Sequence, residues 1–135
     1  MGYEPYATIE DYEALGLEDF DGVESALILA SRHIDTLTFN RIIGAGGLKN
    51  LTEFQQGIIK EVTCRQARFE YEYADEIDSI FTGYTINGVT ARFGDGIGVK
   101  LQDGIAISRS LYSILEQTGL CCRLARFIWH KDIRS

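Results

Sequence analysis

Basic residues are scarce in this chain: 13 Lys and Arg stand against 20 Asp and Glu, which gives a formal net charge of −7. An acidic body of this kind lacks the basic footprint on which nucleic-acid binding normally depends. Long apolar runs are also missing, since none approaches the roughly 20 residues needed to span a bilayer. The composition therefore predicts neither a membrane protein nor a protein that reads DNA sequence.

Cysteine and histidine are too few for a metal site. Cys64, Cys121 and Cys122 form no Cys-x-x-Cys pair, and no His–Cys spacing suits zinc. Because two adjacent cysteines suit a structural disulfide poorly, we expect reduced thiols, with Cys64 packed inside a helix. His33 is expected to be a helix-surface histidine or one satisfied by a partner, and His130 has no evident acidic or nucleophilic partner. We expect no metal, no cofactor and no enzymatic activity.

Three further patterns that could carry chemistry are better explained as structure. The glycines at 44–47 follow a helical pattern and lack the Gly-Lys-Ser/Thr ending of a phosphate-binding loop. The segment 94–98 has one carboxylate among glycines, too few oxygen ligands for calcium. The acids at 70–78 are spaced around a helix end and are expected in solvent, not in a shared pocket.

Helix signals dominate the first half of the chain. Thr8 can start a short helix that ends at Gly16. Asp21 and Glu24 fit a capping-box arrangement for a second helix, predicted over about 22–43. Its apolar residues recur at spacings of three and four, as expected for one buried face: Val23, Ala26, Leu27, Ala30, Ile34 and Leu37.

Two more helices have clear start signals. Thr52 with Gln55 forms a capping box, and Leu51 is placed for a hydrophobic staple. The helix behind it presents a wide apolar surface: Phe54, Ile58, Val62, Ala67, Phe69, Tyr71 and Ala74. Ser108 caps a last helix, which Gly119 is placed to end in a left-handed conformation, with Leu120 closing back on the helix.

After about residue 78 the period changes from helical to alternating. Asn87-Gly88 between alternating arms predicts a β-hairpin with a type I′ turn, located around 81–101. Ile97, Val99 and Leu101 can add a third short strand or extend the hairpin. The hairpin residues expected to make contacts are Tyr84, Ile86, Asn87, Gly88, Val89 and Phe93.

The two ends of the chain differ in charge. Residues 1–24 hold eight acids and no Lys or Arg, whereas residues 120–135 hold four basic residues and one acid. The C-terminal segment also carries Phe127, Ile128 and the single tryptophan, Trp129, without helical or strand periodicity. Such a basic and apolar segment suits a partner better than water, and the charge separation suits contact between copies or with another protein.

The predicted fold is therefore mainly α: an antiparallel helical bundle of about four helices with an inserted β-hairpin and an extended C-terminal arm. The body is expected over 1–119 and the arm over 120–135.

The order of these parts resembles the head–tail connector proteins, also called adaptor or head-completion proteins, of long-tailed bacteriophages, notably those of Gram-positive hosts. The resemblance covers about residues 6–124 and rests on an ordered set of segments: Tyr6-Ala-Thr-Ile-Glu-Asp-Tyr, Ala30-Ser-Arg-His-Ile-Asp-Thr-Leu-Thr-Phe-Asn-Arg-Ile, Leu51-Thr-Glu-Phe-Gln-Gln, Ile59-Lys-Glu-Val-Thr-Cys-Arg-Gln-Ala and Leu115-Glu-Gln-Thr-Gly-Leu.

The resemblance implies a non-enzymatic structural protein of the virion. Proteins of this family form a ring, commonly of about twelve copies, at the capsid vertex after DNA packaging. The ring joins the portal protein to the next connector or tail-completion protein, and DNA passes through its lumen without sequence-specific binding. The implied location is the capsid–tail interface of the virion, and the host cytoplasm during assembly.

The family's C-terminal segment docks onto the portal, which here implies a role for the arm. The implied contact residues are Leu120, Arg123, Leu124, Arg126, Phe127, Ile128, Trp129, Lys131 and Arg134. One alternative stays open, namely a small helical regulatory or nucleic-acid-binding module that uses the basic tail on DNA.

Overall fold

The computed structural model describes residues 3–83, 89–93 and 96–121. Over these residues the chain is mainly helical, with packed helices and antiparallel strands, which confirms the predicted fold class. Its elements in chain order are α1 (Ile9–Ala14), α2 (Val23–Leu37), α3 (Arg41–Gly44), a 3₁₀ turn (Leu48–Asn50), α4 (Glu53–Glu72), α5 (Ala74–Gly83), β1 (Val89–Arg92), β2 (Gly98–Gln102), β3 (Ile105–Ser108) and α6 (Arg109–Glu116).

Three of the predicted helix starts are confirmed in atomic detail. The Thr8 hydroxyl accepts from the backbone N–H of Asp11 at 3.1 Å, and the Asp11 carboxylate accepts from the Thr8 N–H at 2.9 Å. Thr52 and Gln55 form the same reciprocal pair at the start of α4. Ser108 caps α6. Each cap satisfies backbone donors that the first helical turn leaves without partners.

The second helix begins where predicted, but the predicted cap and the predicted end are wrong. Gly22 precedes α2 with a φ of +90°, and no side chain caps the helix, so Asp21 and Glu24 form no capping box. The helix ends at Leu37 instead of about residue 43. Phe39 and Asn40 both have positive φ, at 57° and 59°, a left-handed conformation that cannot continue a right-handed helix. The chain then begins the separate turn α3.

The apolar surface predicted for the third helix is only partly buried. Phe54 is 61% exposed and Tyr71 is 51% exposed. Tyr71 stacks on Phe20 with a centroid separation of 4.0 Å. No hydrophobic staple forms, because the position that would receive it is Gln56, whose side-chain amide donates to the Leu51 carbonyl at 2.9 Å.

The β region is larger than a single hairpin in the part of the chain that the structure describes. The antiparallel order is β1-β2-β3, and Val89 lies opposite Leu101. After β1 the Phe93 N–H donates to the Ile97 carbonyl at 3.1 Å, whereas the predicted Asn87-Gly88 turn lies outside the described residues. The helical period also continues to Gly83 in α5, beyond the expected change after Asp78. Strand β3 was not predicted.

Helix α4 lies at the centre of the body. The C-terminal half of α2 and the N-terminal half of α4 share one apolar cluster with α6 and β3, and the opposite halves share a second cluster with α1. The two long helices therefore run antiparallel. A third cluster joins the end of α4 and α5 to the sheet. In the described ranges no helix is both long and apolar enough to cross a bilayer.

Candidate functional site

The last described residues, which precede most of the predicted C-terminal arm, are held firmly by the body. Leu120 is 7% exposed and Cys121 is 8% exposed, and both lie in the central apolar cluster. The guanidinium of Arg41 donates to the Leu120 carbonyl at 2.8 Å, and Gln55 donates to the Thr118 carbonyl at 3.0 Å. Gly119 adopts the predicted left-handed conformation, with a φ of +78°.

These contacts correct the predicted boundary of the arm. Leu120 was predicted both to close back on the last helix and to belong to the docking arm. Its side chain packs inside the body, which agrees with the first prediction. The body therefore extends to Cys121, two residues beyond the predicted boundary at 119. The other predicted arm contacts lie outside the described residues: Arg123, Leu124, Arg126, Phe127, Ile128, Trp129, Lys131 and Arg134.

The predicted hairpin contacts are also distributed differently. Tyr84, Ile86, Asn87 and Gly88 lie outside the described residues, and the backbone of Val89 belongs to β1. Phe93 is 7% exposed and packs against Phe69 with a centroid separation of 6.1 Å. Its side chain is thus an internal part of the α4–sheet cluster in this structure.

A polar junction links α2, α4 and β3, and it was missed from the sequence. The Nδ1 atom of His33 pairs with the carboxylate of Glu70, which also accepts from the side-chain amide of Gln66 at 2.8 Å. The Gln66 amide donates in addition to the Ala106 carbonyl in β3 at 2.8 Å. Glu70 was expected in solvent, yet its side chain is only 15% exposed.

A signal for this junction existed in the sequence. Thr63, Gln66 and Glu70 recur at spacings of three and four, so they share one face of α4. That face is buried, and Thr63 Oγ1, one Gln66 oxygen and one Glu70 oxygen have no hydrogen-bond partner in the structure. A polar stripe of this kind on a buried helix face indicates a structural junction between elements.

A second polar contact ties the N-terminal segment to α2. The hydroxyls of Tyr3 and Tyr6 both donate to the carboxylate of Asp35, which is 5% exposed. Burial, followed by the hydrogen bond to Asp35, raises the pKa of both phenols above their ordinary value. The two tyrosines therefore stay neutral and act as donors, which suits anchoring of the segment rather than acid–base chemistry.

The described thiols are poorly suited to nucleophilic chemistry. Burial raises the pKa of Cys64 to about 12 and that of Cys121 to about 12, so both are protonated near neutral pH. They are free thiols, as expected. Among the residues that the structure describes, no group of three His, Cys, Asp or Glu side chains could hold a metal ion.

The surface of the described body carries two kinds of feature suited to contacts. The first is a set of exposed apolar side chains: Ile28, Leu29, Ile43, Phe54 and Tyr71. The second is a pair of adjoining grooves of about 450 and 520 Å³ between α1, the loop after it and the start of α2. They share Ile9 and Glu24 in their walls. A larger cleft of about 920 Å³ separates the N-terminal segment from the glycine loop and α4.

Comparisons with protein-family models, with curated proteins and with solved structures find no match to this chain.

Proposed function

We propose that this protein is a structural component of a bacteriophage virion, a head–tail connector that forms a ring between the capsid portal and the tail. The observation that carries the proposal is the ordered set of segments over residues 6–124 that resembles this family. A mainly helical body with a small antiparallel sheet is compatible with that resemblance. In this role the protein completes the head after DNA packaging and binds the portal, the next connector or tail protein, and further copies of itself.

The geometry of the arm's exit supports a docking role for the residues that follow it. The Arg41–Leu120 hydrogen bond and the burial of Cys121 fix the start of the arm relative to α3. An arm that leaves from a fixed point loses less orientational freedom on binding than one attached through a loose linker. Repeated around a ring, modest contacts by each arm add up to firm attachment.

Exposed apolar residues near this exit suit contacts between copies. Ile43 on α3 is 55% exposed, and Phe54 in the first turn of α4 is 61% exposed. Both helices also hold the residues from which the arm starts, since Arg41 belongs to α3 and Gln55 to α4. Clusters of large apolar side chains are rare on surfaces that face only water. The cores of protein interfaces, by contrast, are rich in apolar side chains.

Electron microscopy of portal-bearing, DNA-filled capsids incubated with the protein tests this function. We expect a ring of density at the portal vertex with the full chain. A variant that ends at Cys121 keeps the body intact, and we expect it to lose portal attachment. Phe54→Ser, by contrast, keeps the arm and is expected to weaken contacts between copies. Absence of any ring with the full chain would contradict the proposal.

The nucleic-acid-binding alternative predicts a different result. The full chain would bind duplex DNA with an affinity that falls steeply with salt, and the variant ending at Cys121 would not. The exposed acids of the body oppose such binding. Fluorescence anisotropy with labelled DNA separates the two functions, since the connector proposal predicts no measurable affinity at moderate salt.

A further inference from the structure

The acidic face at the start of α2 matches the chemistry of the C-terminal arm of the same chain. On α2, the apolar residues Ile28 and Leu29 are 38% and 51% exposed. One turn towards the N-terminus lies Glu24, which borders both grooves together with Ile9. Around them stand further exposed acids: Glu10, Asp19 and Asp21.

These acids are available for a partner. In the described part of the chain, the ion pairs formed by the first 24 residues are limited to the contact between Glu18 and Arg68, at 3.3 Å. Glu10, Asp21 and Glu24 form none. Uncompensated carboxylates around an apolar patch favour a ligand that is both basic and apolar. Residues 122–135 have this composition, with four basic residues, one acid and the run Phe127-Ile-Trp129.

The order of features agrees over the outer part of the arm. The arm leaves the body beside Arg41, just after the C-terminal end of α2. Passing from there along α2 towards its N-terminus, the exposed Arg32 comes first, then Leu29 and Ile28, and then the acids. Passing outward along the arm, Arg123 and Arg126 come first, then Phe127–Trp129, and then Lys131 and Arg134. An antiparallel path therefore places Phe127–Trp129 on Ile28 and Leu29 and the two outer cations on carboxylates, whereas Arg123 and Arg126 take no part in the match.

The distances are compatible with this path. Ile28 lies nine residues before Leu37, or about 14 Å along the helix axis at roughly 1.5 Å per residue. A lateral step of about one interhelical spacing, 8–10 Å, brings the required span to roughly 17 Å. Phe127 is six residues beyond Cys121 and reaches about 20 Å when extended. Glu24 lies about 6 Å further along the axis, and Lys131, four residues beyond Phe127, has more than enough chain to reach it.

We propose that residues 122–135 dock, in the free protein, on the acidic and apolar face of their own body formed by Ile28, Leu29, Glu24 and the grooves beside Ile9. The occupant is the arm of the same molecule, because its attachment at Cys121 gives it a high effective concentration at this face. The docked arm covers its aromatic residues until a partner takes it. The inference concerns the isolated chain, and only the later release of the arm to a portal rests on the proposed function.

The single tryptophan makes the arm directly observable, because Trp129 is the only one in the chain. With the full chain, we expect blue-shifted emission and protection from iodide quenching relative to a free peptide of residues 122–135. The signal should be independent of protein concentration over about a hundredfold range, as an intramolecular contact requires. Added salt should weaken the protection, because charge pairs contribute to the docking.

Two variants and a matched charge control locate the contact. Glu24→Lys and Ile28→Ser change the proposed face, and each should raise the fraction of free arm about threefold. Glu76→Lys is the control, since Glu24 and Glu76 are both exposed and lie in the first turn of a helix. The control should leave the emission unchanged, and far-UV circular dichroism verifies that all three variants fold.

Three outcomes would overturn the inference. Emission from the full chain equal to that of the free peptide means that the arm does not dock. Protection that persists in Glu24→Lys and Ile28→Ser means that it docks elsewhere. Protection that increases with protein concentration means that the arm binds a second copy. None of these results bears on ring formation at a portal, so failure of this inference and failure of the proposed function are distinguishable.

Discussion

Leu120 provides the sharpest test of where the body ends and the docking arm begins. The residue is 7% exposed and packs in the central cluster, so Leu120→Ala removes a side chain that is almost fully withdrawn from water. The buried apolar surface that is lost corresponds to about three methylene groups at ~0.8 kcal/mol each, or about 2.4 kcal/mol of stability. Because the residue lies in the last turn of the body, neighbouring groups can partly fill the space. We therefore expect a cost of about 2–3 kcal/mol, at the low end of the range for buried leucines.

Urea denaturation followed by far-UV circular dichroism measures this cost. Ile43→Ala is the control, since Ile43 is 55% exposed, lies outside the proposed docking face and should cost less than about 0.5 kcal/mol. A chain that ends at Cys121 should lose much less stability than Leu120→Ala, because every described contact of the exit is retained. The m-value should stay unchanged in the point variants, which keeps the comparison within two-state unfolding.

The reasoning would be refuted by the reverse order of effects. If Leu120→Ala unfolded at the same urea concentration as the parent while truncation after Cys121 cost several kcal/mol, Leu120 would belong to the arm. The boundary at 119 would then stand, and the contacts of Arg41 and Gln55 would have no part in fixing the exit.

Two further predictions concern the interior. His33→Ala removes one partner of the Glu70 carboxylate, which is 15% exposed, and leaves Gln66 as its described partner. We expect the free energy of unfolding, measured by urea denaturation, to fall by about 1–3 kcal/mol. An unchanged denaturation midpoint would show that the junction does not stabilise the fold. Burial raises the pKa of Cys64 and Cys121 to about 12, whereas the unfolded thiols ionise near their ordinary value of about 9. Above pH 9 the unfolded state therefore loses protons that the folded state keeps, and stability falls as the pH rises from about 9 towards 12. A Cys64→Ala, Cys121→Ala double variant should show a flatter pH dependence of stability, and an equally steep one would contradict the assignment.

The local features of the fold were predictable because local chemistry determines them. Thr8, Thr52 and Ser108 each accept a backbone hydrogen bond three residues ahead, a pattern that is visible in the sequence. The break after α2 was not predictable in the same way. Phe39 and Asn40 take a left-handed conformation without a glycine or proline to mark it, so tertiary packing overrides local preference there.

The contacts that define the candidate site are long-range, which is why the sequence indicated them poorly. His33 and Glu70 are 37 residues apart, and Arg41 and Leu120 are 79 residues apart. Periodicity places a residue on one face of its own helix, but it does not specify which residue of another helix it meets. For this reason Glu70 was assigned to solvent and Leu120 to the arm, and both are held by partners distant in sequence.

An arm that is docked on its own body is not free to bind a partner, which lowers the apparent affinity of that partner. If the arm is docked on its own body about 90% of the time, the affinity of a portal for it falls about tenfold, or about 1.4 kcal/mol per subunit. Under the proposed function, the first copy to arrive would bear this cost alone. Later copies would add contacts with their neighbours through exposed residues such as Ile43 and Phe54, so the cost would be offset once a ring begins to form. The docking of each arm on its own body would therefore discourage single copies from occupying a partner and favour complete rings, without any change in the folded body itself.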